Sequence, residues 1–84
     1  MSRPDYATLR SLIVGMNPAA DAWLTDERTD LFEVGAFDSV TIVELIPLLE
    51  RAFGFVFDFT DLKAEHFRSI ETLRELLGTK YGLR

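Results

Sequence analysis

The sequence predicts an all-α protein, a small four-helix bundle with three principal helices, one short helix and a long first loop. Three segments carry apolar residues at intervals of three and four, which is the period of a helix with one buried face. Each segment begins at a residue suited to start a helix and ends at a glycine or before a proline. The chain of 84 residues is short enough to form one domain, 1–84, around one hydrophobic core.

The first predicted helix begins at Pro4 and Asp5, because proline fits an early helical position and an acidic residue favours the first turn. Its apolar residues follow at helical spacing and are Tyr6, Leu9, Leu12, Ile13 and Met16. The helix is expected to end near Gly15, since the Asn-Pro pair that follows is unsuited to helical backbone. A loop over 18–29 comes next, and Trp23 is expected to pin it onto the core.

The central predicted helix runs from Ser39 to Phe53, with Asp38 as its N-cap and Gly54 as its stop. The face that must be buried consists of Ile42, Val43, Ile46, Leu49 and Phe53. The opposite face consists of Val40, Glu44, Pro47 and Arg51. Pro47 removes a backbone hydrogen bond and is expected to bend the helix. Its apolar ring on the outward side suggests a partner contact, although a simple kink is the plainer explanation.

The connection after the central helix carries three phenylalanines at alternate positions, Phe55, Phe57 and Phe59. This period is typical of a strand, but the sequence offers no second strand to pair with it. We therefore expect an extended connection that directs aromatic rings into the core. A short helix is expected next, capped by Thr60 or Asp61 and ending at Phe67. The last helix is expected to begin after Ser69 and to end at Gly78.

The net charge of −5 is concentrated in one segment of the chain. Residues 21–38 contain six acidic residues and a single base, whereas acids and bases balance in the rest of the chain. The six acids are Asp21, Asp26, Glu27, Asp30, Glu33 and Asp38. The phosphates of nucleic acid attract the opposite charge, so a nucleic-acid partner is excluded and a partner with a basic surface is expected. A solvated acidic loop that keeps the protein soluble is the alternative explanation.

Residues for conventional catalysis are scarce in this chain. The absence of cysteine excludes disulfides, thiolate metal sites and a cysteine nucleophile. The single histidine, His66, lies in a polar segment, so neither a metal site nor a catalytic role is expected for it. The N-terminal residues lack the apolar core of a signal peptide, and no apolar run is long enough to span a membrane. We expect a monomeric, cytoplasmic protein that is not an enzyme.

Ser39 is the residue for which a chemical role remains. A phosphate ester on its hydroxyl would face unpaired backbone N–H groups at the positive end of the central helix. The sequence LFEVGAFDSV at 31–40, continued by VEL at 43–45 and FG at 53–54, resembles the acyl carrier protein family. The residues FRSI at 67–70 match as well, so that the resemblance covers nearly the entire chain.

The resemblance implies that Ser39 is the attachment site of 4'-phosphopantetheine, which a phosphopantetheinyl transferase takes from coenzyme A. The terminal thiol of this arm carries an acyl or aminoacyl group as a thioester, and the absence of cysteine agrees with an imported thiol. A ligase or transferase would load the group, and an acceptor enzyme would receive it. Asp38 would help the transferase dock and place its magnesium. Val40, Glu44 and Pro47 would lie on the face that partner enzymes bind.

The chain departs from the commonest carriers in its motif and its charge. Fatty-acid carriers usually have Gly-x-Asp-Ser and a strongly acidic central helix, whereas here two residues separate Gly35 from Asp38, and Arg51 reverses a charge. The Gly-Gly-x-Ser motif of peptidyl and modular polyketide carriers is missing. The spacing is more similar to that of discrete, stand-alone carriers such as the D-alanyl carrier proteins.

The residues leave open one function of a different class. An unmodified helical interaction module could bind a partner through the acidic loop and the outer helix face, that is, through Asp30, Glu33, Val40, Pro47 and Arg51. In such a protein, replacement of Ser39 would leave function intact, while charge reversal at Asp30 and Glu33 would disrupt it.

Overall fold

The computed structural model describes residues 4–83 and contains there only helices, turns and irregular chain, without a strand. Its three α-helices are α1 (Tyr6–Met16), α2 (Ser39–Phe53) and α3 (Ile70–Thr79). Three short 3-10 turns lie between them, at Pro18–Ala22, Phe59–Asp61 and Ala64–His66. The predicted all-α fold is confirmed, while the predicted domain limits, 1 and 84, lie outside the described residues. None of the helices within 4–83 is long and apolar enough to cross a membrane.

The cap of α1 is the predicted Asp5. Its side chain accepts a hydrogen bond from the backbone N–H of Thr8 at 2.9 Å. This bond satisfies one of the N–H groups that the first turn leaves without an acceptor inside the helix. The helix continues to Met16, one residue beyond the predicted end at Gly15, and packs against both α2 and α3.

The first loop is fastened to α1 through Arg10. The Arg10 guanidinium forms an ion pair with Asp21 at 2.9 Å and donates to the carbonyl of Leu24 at 3.3 Å. Leu24 is buried, whereas Trp23 is 36% exposed. The prediction that Trp23 pins the loop is therefore wrong, because the bonded Leu24 turns inward and leaves its neighbour at the surface.

The bounds of α2 are those predicted, and Gly54 ends the helix in the left-handed conformation with φ of 69°. Its buried residues are Ile42, Leu45, Ile46, Leu49 and Phe53. Val43 was predicted to be buried but is 53% exposed. The five buried residues centre on Ile42, and Val43 lies about 100° around the helix from that centre, so the core does not reach it.

The three phenylalanines that follow α2 differ in burial. Phe57 is buried, and its ring lies 5.9 Å from that of Phe67 and 6.0 Å from that of Tyr81. Phe55 is half-buried, whereas Phe59 is 65% exposed. The rejection of a strand here is confirmed. The expectation that all three rings enter the core is wrong for Phe59, since the chain changes direction there into a 3-10 turn.

The predicted short helix ending at Phe67 is divided into two 3-10 turns of three residues each. Asp58, rather than Thr60 or Asp61, caps the first of them, and its carboxylate accepts the N–H of Thr60 at 2.9 Å. Lys63 separates the two turns, with φ of −126° and ψ of 142°. A helix cannot continue through a residue with extended backbone. Residues 62–63 therefore lie outside both turns, and they line a groove beside the start of α2.

The last helix, α3, begins after Ser69 as predicted. The Ser69 hydroxyl accepts the N–H of Thr72 at 3.1 Å, and the Thr72 hydroxyl accepts the N–H of Ser69 at the same distance. This reciprocal pair is a capping box, which satisfies two backbone groups at once. The helix ends at Thr79, one residue beyond the predicted end at Gly78.

Residues after α3 hold the segment between α2 and α3 in place. The Tyr81 hydroxyl donates to a carboxylate oxygen of Asp61 at 2.7 Å and accepts the N–H of Asp58 at 2.9 Å. The Lys80 ammonium forms an ion pair with the same Asp61 oxygen at 2.7 Å. These bonds from Lys80 and Tyr81 lower the pKa of Asp61. We refer to Asp58, Asp61, Lys80 and Tyr81 as the C-terminal clamp.

Replacing Tyr81 with phenylalanine is expected to lower the free energy of unfolding by about 1 kcal/mol, because the ring stays while the hydroxyl is lost. The clamp stabilises the protein above the unfolded pKa of Asp61, and this stabilisation is lost as the pH falls through its lowered folded pKa. The variant should therefore also lose less stability than the wild type on acidification. Urea unfolding at neutral and acidic pH measures both effects. A free energy of unfolding equal to that of the wild type would show that the Tyr81 hydroxyl does not stabilise the protein through the C-terminal clamp.

Candidate functional site

Ser39 is the first residue of α2, and it is exposed. The residue before it, Asp38, caps the helix by accepting hydrogen bonds from the backbone N–H and the hydroxyl of Thr41, at 2.8 and 2.9 Å. These hydrogen bonds lower the pKa of Asp38, so its carboxylate is charged at neutral pH. Because Asp38 supplies the cap, the Ser39 hydroxyl is not needed to start the helix.

The segment that leads to Ser39 is fixed by backbone hydrogen bonds. The N–H of Leu31 donates to the carbonyl of Arg68 at 2.7 Å, and the N–H of Phe37 donates to the carbonyl of Leu31 at 3.0 Å. Between them, Gly35 has a φ of 82°, which glycine adopts without strain. Leu31 and Phe37 are buried, the latter as predicted. Both sides of this turn are anchored, so the chain enters α2 at a defined position.

An apolar groove of about 290 Å³ lies beside Ser39. The other residues that line it are Phe32, Ile42, Val43, Leu62, Lys63 and Ala64. Its volume is close to the lower end of the range for small-molecule pockets. The groove explains why Val43 is apolar although the core does not cover it. An exposed hydroxyl at the edge of an apolar groove can carry a group whose apolar part lies against the protein.

Most of the groove was missed by sequence reasoning, which gave no site role to Phe32, Leu62, Lys63 or Ala64. These residues are brought to Ser39 by packing between distant parts of the chain, and no local pattern signals it. One signal was available in Val43, an apolar residue at the edge of the buried stripe and close to Ser39.

The outward face of α2 consists of the four predicted residues, Val40, Glu44, Pro47 and Arg51, and all four are exposed. Val40 directly follows Ser39, and 64% of its surface is exposed. Within residues 4–83, neither Glu44 nor Arg51 forms an ion pair, so their charges are available to a partner. We refer to these four residues as the α2 face. It carries one acid, one base and two apolar side chains, and it is close to neutral.

Most acidic side chains of the segment at 21–38 already have a hydrogen-bond or ion-pair partner within the protein. Two of its acids form ion pairs, Asp21 with Arg10 at 2.9 Å and Glu27 with Arg74 at 2.7 Å. Three others accept nearby backbone N–H groups, namely Asp26, Asp30 and Asp38. Glu33 is exposed, and its carboxylate has no partner in the part of the chain that the structure describes. Glu33 and Asp30 are the two loop residues that were predicted to contact a partner. Within the described residues the Glu33 carboxylate has no partner, whereas one carboxylate oxygen of Asp30 already accepts two hydrogen bonds.

His66 has no group of metal ligands around it. Its imidazole lies 4.0 Å from the Glu65 carboxylate. Across residues 4–83, no three histidine, aspartate or glutamate side chains are close enough together to hold a metal ion.

The helical fold, with an exposed hydroxyl where its central helix starts and an apolar groove beside it, is that of a small carrier protein. A family model described as the phosphopantetheine attachment site matches residues 6–78, which is most of the chain. The chain belongs to this family, the acyl carrier protein family, as its sequence predicts. No curated protein and no solved structure gives a significant match.

Proteins of this family carry covalently bound 4'-phosphopantetheine and act as non-catalytic carriers. They interact with the phosphopantetheinyl transferase that attaches the arm and with the enzymes that use it. The residues present fit such a group. An exposed hydroxyl allows an ester to form without disturbing the core, and the groove offers apolar surface to the arm.

Proposed function

We propose that Ser39 bears the 4'-phosphopantetheine arm, and its exposed position at the start of α2 is the observation that carries this proposal. Two other serines lie within residues 4–83. Ser69 is 5% exposed, and its hydroxyl belongs to the capping box of α3. Ser11 is exposed but lies within α1 and outside the groove. Ser39 alone among the three combines exposure, a helix start and the groove.

The residues around Ser39 have distinct parts in this proposal. Asp38 holds the first turn of α2, so that the Ser39 hydroxyl is presented in a fixed position to the transferase. Its charged carboxylate is also available to help the transferase dock and place its magnesium. Ester formation removes the hydroxyl proton of Ser39 and releases the nucleotide part of coenzyme A. When bound, the arm supplies a thiol that holds the carried group as a thioester.

The cargo that we propose is a small acyl or aminoacyl group, delivered by a stand-alone, monomeric and cytoplasmic carrier in a biosynthetic pathway. The spacing of Gly35, Asp38 and Ser39 supports this proposal, since it is similar to that of discrete carriers such as the D-alanyl carrier proteins. An acyl or aminoacyl ligase or transferase would load the group and an acceptor enzyme would receive it.

Transfer of the arm tests the proposal directly. The purified protein is incubated with coenzyme A and a broad-specificity phosphopantetheinyl transferase, and its intact mass is measured. We expect a gain of one phosphopantetheine, located on Ser39 by fragmentation of the peptide that contains it. Failure to gain mass with several such transferases, or a gain located on another residue, would contradict the assignment of Ser39.

The partner surface that we propose is the α2 face together with Glu33 and Asp30 of the preceding loop. Exposure of Val40 and of the unpaired charges on Glu44 and Arg51 supports this assignment. Pro47 adds an apolar ring to the same face. An exposed apolar residue next to the modified serine would be covered when a partner enzyme reaches that serine.

Replacing Val40 with aspartate is expected to lower kcat/KM for arm transfer by about tenfold, since a charge would then be buried at the centre of the contact. Val56→Asp is the matched control, because Val56 is 83% exposed and lies outside α2. The control should keep the wild-type rate. Equal rates for the two variants, measured by mass spectrometry over time, would show that the transferase does not bind the α2 face.

A further inference from the structure

One cationic residue, Lys63, is among those that line the groove beside Ser39. Apart from Ser39 and Lys63, its lining residues are apolar. Lys63 is an exposed residue, so water and a charged group can both reach its side chain. A single cation at the edge of an apolar groove favours an occupant that has one anionic group and an apolar remainder.

The position of Lys63 is fixed by its backbone. Its N–H donates to the carbonyl of Asp61 at 2.8 Å, and its own carbonyl accepts the N–H of His66 at 3.0 Å. Asp61 is held in turn by the C-terminal clamp. The extended backbone of Lys63 therefore has a defined place beside the groove.

The ammonium of Lys63 has no ion pair within residues 4–83. The other lysine, Lys80, pairs with Asp61 at 2.7 Å and lies 3.7 Å from Asp58. Lys63 comes between these acids and Glu65 in sequence and still pairs with none of them. Its charge is consequently available to a group that the chain itself does not supply.

A phosphodiester on Ser39 would be stabilised by such a charge. The carboxylate of the preceding residue, Asp38, is ionised at neutral pH, and like charges in neighbouring positions repel each other. The N-terminus of α2 offsets only part of this repulsion. Lysine binds phosphate as a compact point charge, and its long side chain can reach across the mouth of a groove.

We propose that Lys63 forms the ion pair that neutralises the phosphodiester of the arm and thereby directs the arm along the groove over Val43 and Leu62. This inference rests on the proposed attachment of the arm to Ser39. Val43 and Leu62 are 53% and 39% exposed, and an arm lying along the groove covers both. An exposed ion pair of this kind shifts the balance between docked and free arm by about two- to fivefold. A partner enzyme can therefore still draw the arm out.

Nuclear magnetic resonance of the protein before and after arm transfer tests the proposal. The phosphorus signal and the methyl signals of Val43 and Leu62 are recorded for the wild type, for Lys63→Gln and for Lys63→Arg. In the wild type, we expect both methyl signals to shift when the arm is attached. In Lys63→Gln, these shifts should fall, by at most about the same two- to fivefold factor, and the phosphorus signal should move. Lys63→Arg should retain the wild-type shifts, because it keeps the cation.

The matched control is Arg68→Gln, which removes an exposed positive charge outside the groove and should behave as the wild type. High salt should reduce the wild-type shifts as Lys63→Gln does, since it screens an exposed pair. Spectra of the unmodified variants show whether each one folds.

Three results would overturn this inference. The first is a modified wild type whose methyl signals do not shift, and the second is Lys63→Gln shifts equal to those of the wild type. The third is a Lys63→Gln effect that arises only after a cargo with a free carboxylate is loaded, which would make Lys63 a cargo contact. If the wild type gains no phosphopantetheine at all, the assignment of Ser39 fails first, and this inference falls with it.

Discussion

Ser39→Ala is expected to abolish the gain of phosphopantetheine mass completely while leaving the fold intact. The side chain is exposed, and the helix cap is supplied by Asp38, so alanine at the first position of α2 disturbs neither packing nor capping. The free energy of unfolding should stay within about 0.5 kcal/mol of the wild type. Intact-mass measurement after incubation with transferase and coenzyme A gives the first result, and urea unfolding gives the second.

Ser11→Ala is the control for this experiment, because Ser11 is an exposed serine at a distance from the groove. It should gain the arm at the wild-type rate. A Ser39→Ala protein that still gains the arm would move the attachment site elsewhere. A Ser39→Ala protein that fails to fold would show instead that the hydroxyl has a structural part, and Ser39→Thr would then separate folding from modification.

Both ends of α2 and the start of α3 could be predicted because the interactions that set them are local. The cap of α2 is a hydrogen bond between residues three apart, Asp38 and Thr41, and α3 begins with a reciprocal bond between Ser69 and Thr72 over the same separation. Gly54 ends α2 through its own backbone conformation. Interactions of this range can be read from neighbouring residue types, so the bounds of α2 agree with the prediction to the residue.

The groove could not be predicted, since its walls come from parts of the chain that approach only in the folded protein. The periodicity of α2 identifies an apolar stripe but does not show whether the core or a groove covers its edge. Val43 lies at that edge, and the prediction assigned it to the core. The short connection was also predicted as one helix, whereas the extended Lys63 divides it and forms part of the groove.

The acidic segment shows how a local charge count can mislead. Its concentration of acids suggested a basic partner, yet Arg10 and Arg74 from other elements satisfy two of these acids. Other acids in the segment shape turns, as Asp26 and Asp30 do by accepting backbone N–H groups. We therefore expect the nearly neutral α2 face to contribute more to partner binding than the loop, in which Glu33 is the acidic residue without a partner.

Phe67→Ala is expected to lower the free energy of unfolding by about 3–5 kcal/mol, a large part of the stability of a small domain. Phe67 is 0% exposed, and its ring lies 5.9 Å from that of Phe57 and 6.5 Å from that of Phe37. Its removal leaves a cavity beside the rings of Phe37 and Phe57. Thermal unfolding measures the effect, with Tm falling by about 4–8 °C for each kcal/mol.

Phe59→Ala provides the matched control, because it removes the same ring from a position that is 65% exposed. Its cost should be within about 1 kcal/mol, so the difference between the two variants is attributed mainly to burial. Phe67 also supports Phe37, which lies directly before Asp38, and a loosened core should therefore slow arm transfer to Ser39. Cooling the Phe67→Ala protein until it is folded should recover part of its rate of arm transfer, relative to the wild type at the same temperature. Equal free energies of unfolding for the two variants would show that Phe67 does not stabilise the core. They would also contradict its proposed support of the start of α2.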